Sequence, residues 1–360
     1  MTDFQPSLNH SVQNNLDELR EQFGFNQLVI DRLKSPLTVD FYEKWLNDRH
    51  HGKMAYLKTH LEMKKDPRKI ESRIESVISV AQSYFPAVRP YAHGPARVAL
   101  YAQNEDYHHW LKEKLQMIIE KLSADFPNEV FLPFVDSGPV LERDMGYQNG
   151  LGWFGKNTCL IHPKHGSLFF VAEILTSLKS PATSNIEAVP DFCGTCTRCM
   201  DICPTQALAA PKLMKADLCI SYLTIESKES PPLELRKKMG DWFFGCDLCQ
   251  TVCPWNQKVF RKLELPATDA TSQSPMLPLP PEQREKLVAY FDRLIRSSHN
   301  LIQRNNLGSP LARAGAKGLK KNALIVIANQ NLYELKNLVA EFVWPEELSE
   351  LAGWTLAQLS

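Results

Sequence analysis

The sequence predicts an α+β protein built in successive parts, and three observations carry that reading. Short β-branched runs alternate with helix-period stretches up to about residue 180; eight of the nine cysteines crowd into residues 193–254; and the last sixty residues keep a helical repeat of apolar positions. These divide the chain into a strand-and-helix sandwich over 1–180, a cysteine-built segment over 181–260, a proline-marked segment over 261–300 and a helical unit over 301–360. A chain of 360 residues with 44% hydrophobic content can bury several cores. Lys+Arg and Asp+Glu balance at 41 each, so a nucleic-acid partner would have to be met by a local patch rather than by net charge.

Residues 11–60 read as helical, with Phe41 and Trp45 one turn apart and Gly52 breaking the run. The basic stretch from Lys64 to Lys69, marked by Pro67, ends it, either as a solvated charge run or as a contact for an anionic ligand. Ser76 to Ala81 and Arg97 to Ala102 read as buried strands. Between them and a third strand, Val130 to Val135, lies a helix capped by Asp106, whose Leu111, Leu115, Ile118 and Leu122 share one face as core. Tyr107, His108 and His109 open this helix as surface or packing groups, or as functional ones.

The third strand runs into Asp136-Ser137-Gly138-Pro139. Residue pattern leaves two readings of Asp136: a carboxylate held by a rigid strand end and exposed by a turn, or the cap of a following helix that starts near Val140. Three glycines around Trp153 and Phe154 (Gly150, Gly152, Gly155) then form a loop that lets backbone come close to a large ligand; it matches neither a P-loop nor G-x-G-x-x-G. Cys159 to His162 and Ser167 to Leu175 read as a hairpin turned through Pro163 and Gly166.

The cysteine pattern is the most specific signal. Cys193-x-x-Cys196-x-x-Cys199-x-x-x-Cys203-Pro204 is a full iron-sulfur run; Cys246-x-x-Cys249-x-x-x-Cys253-Pro254 lacks one member, which Cys219 can supply. In two-cluster ferredoxins the cysteine before proline ligates the other cluster. This assigns one [4Fe-4S] cluster to Cys193, Cys196, Cys199 and Cys253, and a second to Cys203, Cys219, Cys246 and Cys249. Structural zinc favours paired ligands over a closed three-plus-one run, and disulfides need an oxidising compartment. Residues 1–10 show no apolar leader and no apolar run reaches membrane length, so the expectation is a cytoplasmic protein.

After the cysteines, Pro266, Pro275, Pro278, Pro280 and Pro281 mark a linker or surface loop. Leu319, Ala323 and Ile327, then Leu335, Leu338, Val339 and Phe342, suggest a helical pair of the α-solenoid kind. Arg313, Lys317, Lys320 and Lys321 lie along one stretch without an acid, either an ordinary solvated face or a stripe for phosphates.

The segment Val135 to Arg143, the loop Gly150 to Asn157, the stretch Ala172 to Thr176, the run Cys219 to Thr224 and the block Gly245 to Asn256 together resemble the epoxyqueuosine reductase family from about residue 50 to the end. The resemblance implies a nitroreductase-like cobalamin-binding sandwich, a ferredoxin-like two-cluster domain and a HEAT-like helical unit. It also implies reduction of epoxyqueuosine to queuosine in tRNA by cobalamin, which the two clusters reduce with electrons from an external low-potential donor. The matching aspartate, Asp136, becomes the proton donor, an acid whose pKa should be raised by burial beside an apolar ligand face. Carried over residue by residue, cobalamin contacts fall at Lys64, Ala99, Asp136, Leu160, Val171, Ser221, Cys246 and Asp247. The tRNA contacts fall at Arg313, Lys317, Lys320 and Lys321, in a monomer without membrane attachment. Relatives carry Gly-x-Asp-Tyr-His where this chain has Asn104 to His108, and the helical tail here is about one unit long. A reductive dehalogenase would share cobalamin and clusters but use a tyrosine donor; a two-cluster electron carrier would need no large domain before the cysteines.

Overall fold

The computed structural model describes residues 6–87, 89, 94–136, 138–180, 188–264 and 279–360. In chain order the first elements are α1 (Pro6–Phe23), β1 (Gln27–Arg32), α2 (Val39–Asn47), α3 (Leu61–Lys65), β2 (Ser76–Ser83) and β3 (Arg97–Val98). They are followed by α4 (Tyr107–Asp125), β4 (Phe131–Phe134), α5 (Glu142–Gln148), β5 (Trp153–Phe154), β6 (Leu160–Ile161) and β7 (Phe169–Thr176). The cysteine region carries α6 (Arg198–Asp201), β8 (Leu208–Ala210), β9 (Leu213–Met214), α7 (Ile220–Ile225), α8 (Leu233–Arg236), β10 (Trp242–Phe244), α9 (Leu248–Thr251) and α10 (Pro254–Lys262). Helices α11 (Pro281–Arg296), α12 (His299–Asn305), α13 (Gly315–Asn329), α14 (Lys336–Glu341) and α15 (Glu346–Gln358) complete the described chain.

Two compact units divide these elements, and neither is continuous in sequence. The first holds the chain to His51, Ala55–Pro86 and Tyr107–Cys196; the second holds Gly52–Met54, Ala87–Asp106 and Thr197–Ser360.

In the first unit a four-stranded antiparallel sheet runs in the order β1-β2-β7-β4. β2 and β7 are its centre, paired from Ser76↔Thr176 to Ser83↔Phe169, and nearly every residue of both is buried. Such two-sided burial encloses polar residues as well as apolar ones: Ser76 and Ser79 are fully buried beside Val77, Ile78 and Val80. Leu111, Leu115, Ile118 and Leu122 of α4 are all at or below 1% exposure, so the helical stripe is core as expected. Met145 of α5 packs with Val77, Val140 and Leu175; each fully buried side chain of this kind contributes about 1.5–3 kcal/mol.

Three strand expectations change. Residues 27–32 form β1 instead of helix, because Leu28 and Ile30 alternate with half-exposed neighbours and complete the edge of β2. The predicted strand from Arg97 stops at Val98; Leu100–Gln103 turns into a 3₁₀ helix. Cys159 to Leu175 is not a simple hairpin: β6 pairs with β5, a single His162↔Gly166 bridge closes the turn, and β7 leaves for the main sheet.

In the second unit β3 lies parallel to β10, and α13 packs on β10, α7 and α15. Apolar residues face outward from α13 in almost every direction, and Leu319, Ala323, Leu324, Ile325 and Ile327 are fully buried. Side-chain amides stitch it to its neighbours: Asn322 Nδ2 donates to Thr224 O (2.8 Å) and Phe243 O (2.9 Å), and Asn329 Nδ2 to Gly240 O (2.7 Å) and Arg236 O (2.9 Å). The helical tail is thus the core against which α7, capped by Cys219, and β10, which ends two residues before Cys246, are set. Pro266, Pro275 and Pro278 lie outside the described residues, whereas residues 281–296 form helix α11 rather than a linker, with Pro281 in its first turn where no N–H is needed. No helix among the described residues is long and apolar enough to cross a membrane.

Candidate functional site

Asp136 stands just past β4, at the end of the buried sheet, after Val135. Its backbone is left-handed (φ 58°), a region that Asp and Asn tolerate better than most residues. Close packing shapes the turn: a Cβ on Gly138 would come within 2.6 Å of the Phe134 ring. Of the two sequence readings, the exposed carboxylate is the observed one. α5 starts at Glu142 with Leu141 as its cap, and the Asp136 side chain is 62% exposed.

Two residues from the start of α4 grip that carboxylate. Tyr107 Oη donates to Asp136 Oδ2 at 2.7 Å, and His108 Nε2 lies 3.3 Å from the same oxygen. The Tyr107 ring stacks on Phe170 at 4.1 Å and on His108 at 4.2 Å, while Trp110 and Tyr84 also meet Phe170. An aromatic wall therefore has a carboxylate on its edge. The expectation of a raised pKa is corrected here. Surrounding protein does push the Asp136 carboxyl up, and is the largest single influence. The hydrogen bonds from His108 and Tyr107, with the charges of His108 and Arg143, outweigh it and hold the group below its ordinary value.

Sequence reasoning missed a second acid behind the first. Burial pushes Glu142, the opening residue of α5, up to about 8, and the nearby charge of Asp136 adds to the shift. Its Oε1 is shielded from solvent and has no hydrogen-bond partner. Around it lie Lys64, which is 8% exposed and donates to Tyr42 Oη (3.2 Å) and Leu57 O (3.4 Å), and Glu173 of β7, which accepts from Ser79 Oγ (2.6 Å). Leu160 is buried and Val171 half-buried, packed with Leu151 and Phe169; the Leu160 and Val171 side chains close over Gly146.

The cysteines divide between the two units. Cys193 and Cys196 end the first, in a turn closed by Cys196 N–H to Cys193 O (3.0 Å). Lys156 of the glycine-rich loop clasps this turn through Gly194 O (2.7 Å) and Cys196 O (3.0 Å), and Trp153 meets Phe192 edge to face at 5.2 Å. Lys156 and Trp153 of the loop thus serve the cysteine turn, a role its composition did not disclose, while Gly152 and Gly155 let the loop pass close to Ile161.

In the second unit Cys199 rides on α6 and Cys249 on α9, two short helices packed together; Cys253 caps α10 and is 8% exposed. Cys203, Cys219 and Cys246 are electrostatic neighbours. Burial pushes the Cys219 thiol up, and Cys203 adds to the shift; burial pushes Cys246 up further, and Cys219 and Asp247 add to it. Opposing this, backbone N–H groups point at the sulfurs: Ser221 and Tyr222 at Cys219, Leu248 at Cys246, and Ala207 at Cys203 (3.3 Å). Buried sulfurs that repel one another and collect N–H donors suit a cationic cluster whose potential those hydrogen bonds tune. Among the described residues no three His, Cys, Asp or Glu side chains converge tightly enough for a single metal ion; a cubane spreads its thiolates, each on a different iron.

Cys246 is aimed by its neighbours. Gly245 has φ 70°, its missing Cβ would sit 2.6 Å from Ala99 Cβ, and its N–H donates to Thr224 Oγ1 (3.0 Å). Ala99 N–H donates to Phe244 O (2.8 Å). Asp247 accepts from Leu100 N–H (2.6 Å), and burial pushes its carboxyl up to about 6.

The basic stretch in the tail is largely corrected. Lys321 is 0% exposed and donates to Leu223 O and Ser227 O (2.6 Å each), so it cannot meet a phosphate. Lys320 is half-buried, bonded to Ile295 O (2.8 Å) and set over the Phe342 ring. Arg313 and Lys317 remain at the surface, paired with Glu226 (2.9 Å) and Glu347 (3.0 Å). Burial lowers the Lys321 amine to about 7. Between that value and the unfolded value of about 10.4 the unfolded chain binds the extra proton, so this residue's contribution to stability rises with pH from about 7 upward and is smallest below it. Lys321→Met removes the titration and leaves two carbonyls unsatisfied. Its deficit in anaerobic thermal unfolding against wild type is expected to be wider at pH 9 than at pH 6.

Fold and site together define a double-cluster iron-sulfur oxidoreductase with an acid-bearing α+β unit. The comparisons specify which. The 4Fe-4S double cluster binding domain matches residues 192–256, and the model of epoxyqueuosine reductase QueG, DUF1730, matches residues 64–137. The epoxyqueuosine reductase of Pseudomonas aeruginosa is 34% identical over 343 residues, covering 93% of this chain and 91% of its own. That of Leadbetterella byssophila is 44% identical over 214 residues, 59% of this chain and 69% of its own. Two solved structures share the fold. One is an epoxyqueuosine reductase with an epoxyqueuosine-modified tRNA-Tyr stem loop (TM-score 0.76, 22% identity, covering 97% of this chain and 90% of that one). The other is the Bacillus subtilis enzyme with its aspartate catalytic loop swung out of the active site (TM-score 0.74, 22% identity, 98% and 91%). The chain belongs to the epoxyqueuosine reductase family.

Proposed function

We propose that this chain reduces the epoxide of epoxyqueuosine in tRNA to the alkene of queuosine, with cobalamin and two [4Fe-4S] clusters as cofactors and Asp136 as proton donor. One observation carries the reading: an exposed carboxylate, held by Tyr107 and His108 on an aromatic wall, in a family member that also has all eight cluster cysteines. Reduced cobalamin supplies a strongly nucleophilic metal centre when bound. What supports a place for it is Asp136, exposed beside the partly exposed Tyr107 and His108 rings, which the buried Phe170 and Trp110 hold in position. The residues put forward for it are Lys64, Asp136, Leu160 and Val171 in the first unit and Ala99, Ser221, Cys246 and Asp247 in the second. Leu160, buried by its side chain, would act through its backbone. The clusters divide as Cys193, Cys196, Cys199 and Cys253 against Cys203, Cys219, Cys246 and Cys249. Arg313 and Lys317, at the surface and ion-paired with Glu226 and Glu347, are the tail residues put forward for tRNA phosphate.

The protein does the proton chemistry. Asp136 sits at a rigid strand end, and a substrate that covers it excludes water and raises its pKa toward a value useful for donation. Its alignment by Tyr107 and His108 removes the need to reorganise at each turnover. The test is to reconstitute both clusters anaerobically, add cobalamin and a low-potential reductant, and offer an epoxyqueuosine-bearing anticodon stem loop beside a chlorinated aromatic. Queuosine formation without dechlorination is expected; dechlorination alone, or protein that retains no corrinoid, refutes the proposal.

A further inference from the structure

Lys156 stands at the tip of the hairpin formed by β5 and β6, whose strands pair Trp153 with Ile161 and Phe154 with Leu160. Gly155 N–H to Cys159 O (2.8 Å) and Thr158 N–H to Gly155 O (2.9 Å) close that tip, and Asn157 beside the lysine is buried. The side chain therefore reaches out from a fixed base. Its Nζ donates to Gly194 O (2.7 Å) and Cys196 O (3.0 Å), two carbonyls of the turn that carries Cys193 and Cys196. Both acceptors are neutral, so the ammonium charge is not cancelled by a carboxylate there.

We propose that Lys156 is a positioning residue for the cluster held by Cys193 and Cys196: it fixes the turn that presents the two sulfurs, and its charge raises that cluster's reduction potential so that the external donor can reduce it. This rests on the two-cluster reading of the cysteines and names a residue outside the cysteine pattern that serves the same site. The first step of the argument is mechanical. Cys196 N–H to Cys193 O (3.0 Å) closes the turn, and Asp191 Oδ1 accepts from Cys193 N–H (2.8 Å). Between the cysteines, Gly194 has a left-handed backbone (φ 50°) and open space where a Cβ would stand, so nothing of its own restrains the chain there. A planar trans peptide turns as one body, and holding Gly194 O and Cys196 O fixes the planes that follow both residues. The second step is electrostatic. An iron-sulfur core with its four thiolates is anionic, and taking one electron from the donor makes it more so, with no bond made or broken. A nearby cation favours the reduced form. Asp191 opposes this effect, but it is exposed and better screened, whereas Lys156 is half-buried.

The test compares the full chain, its clusters reconstituted anaerobically, as wild type, Lys156→Met, Lys156→Gln and Lys156→Arg. Redox titration followed by electron paramagnetic resonance gives the midpoint of each cluster, and iron release to a chelator shows how firmly each is held. Lys156→Met should move one midpoint to a more negative potential and leave the other in place, and half of the iron should leave about tenfold faster or more. Lys156→Gln, which can still donate to a carbonyl but carries no charge, should show the lowered midpoint with a smaller loss of iron. Lys156→Arg should restore both properties. In apo protein, hydrogen exchange of the Cys196 amide should quicken in Lys156→Met and stay near wild type in Lys156→Arg, a readout that involves no cluster. Overturning results are wild-type midpoints in both uncharged variants, both midpoints moved alike, or a Cys196 amide indifferent to Lys156. Should Lys156→Met take up only about four irons per chain, the midpoints of Lys156→Gln and the exchange in apo protein decide by the same criteria. Wild-type protein that holds fewer than two clusters refutes the two-cluster reading, while the Cys196 amide still reports whether Lys156 holds the turn.

Discussion

Asp136→Asn is expected to retain both clusters and the fold yet lose turnover by about 10²–10⁴-fold, the usual worth of a positioned general acid. The substitution isolates the proton. Asn has nearly the same shape, accepts the left-handed backbone at φ 58° as Asp does, and offers Tyr107 Oη an acceptor oxygen, so geometry is kept while the titrating group is gone. Stability should respond weakly and in a definite direction. The folded-state pKa of Asp136 lies below its unfolded value, so the contribution it makes is present above about pH 4 and fades on acidification. The variant loses only that increment, at a largely exposed site. Single-turnover assays on the epoxyqueuosine stem loop, with iron content and thermal midpoint as controls, measure the effect. If Asp136→Asn reduces epoxyqueuosine at the wild-type rate, the acid must be sought at Tyr107 or His108.

What could be read from the residues depended on whether a signal was local. The cluster cysteines and the buried strand β2 were legible because spacing and composition alone specify them. So was the apolar face of α4, whose leucines recur at helical spacing. Asp136 could be singled out as a strand-end acid but not decided, because its partners Tyr107 and His108 lie 29 and 28 residues earlier and meet it only through the fold. The direction of its pKa shift was misjudged for the same reason: burial is visible in an apolar flank, whereas the two donors that outweigh it are not. Glu142 looked like an ordinary first-turn acid of a helix. Lys321 looked like one member of a basic stripe, yet α13 is wrapped on nearly every side and its amine caps the carbonyl end of α7. Edge strand β1 and the β5–β6 pair are short, and their pairing partners, not their own residues, select strand over helix or hairpin.

Cys219→Ala tests the cluster assignment at the position where spacing is least informative, and its expected effect is loss of a whole cluster and with it of turnover. Cys219 lies between the two cysteine runs, outside either one. The structure nevertheless brings it electrostatically close to Cys203 and Cys246, at the start of α7, with the N–H groups of Ser221 and Tyr222 turned toward its sulfur. Removing one of four thiolates leaves an iron without its protein ligand, and alanine brings no donor atom to replace the lost sulfur. The purified variant should carry about four irons per chain instead of about eight, with roughly half the visible absorbance. Both effects should be matched by Cys203→Ala and Cys246→Ala, since one cluster needs all three. A Cys219→Ala protein that keeps eight irons would remove Cys219 from the ligand set, and Cys159, the remaining cysteine, would then be the next to substitute. Electron delivery has two stations in series in this reading, so losing either should stop epoxide reduction even though Asp136 remains in place. Activity that survives with four irons would mean that one cluster suffices.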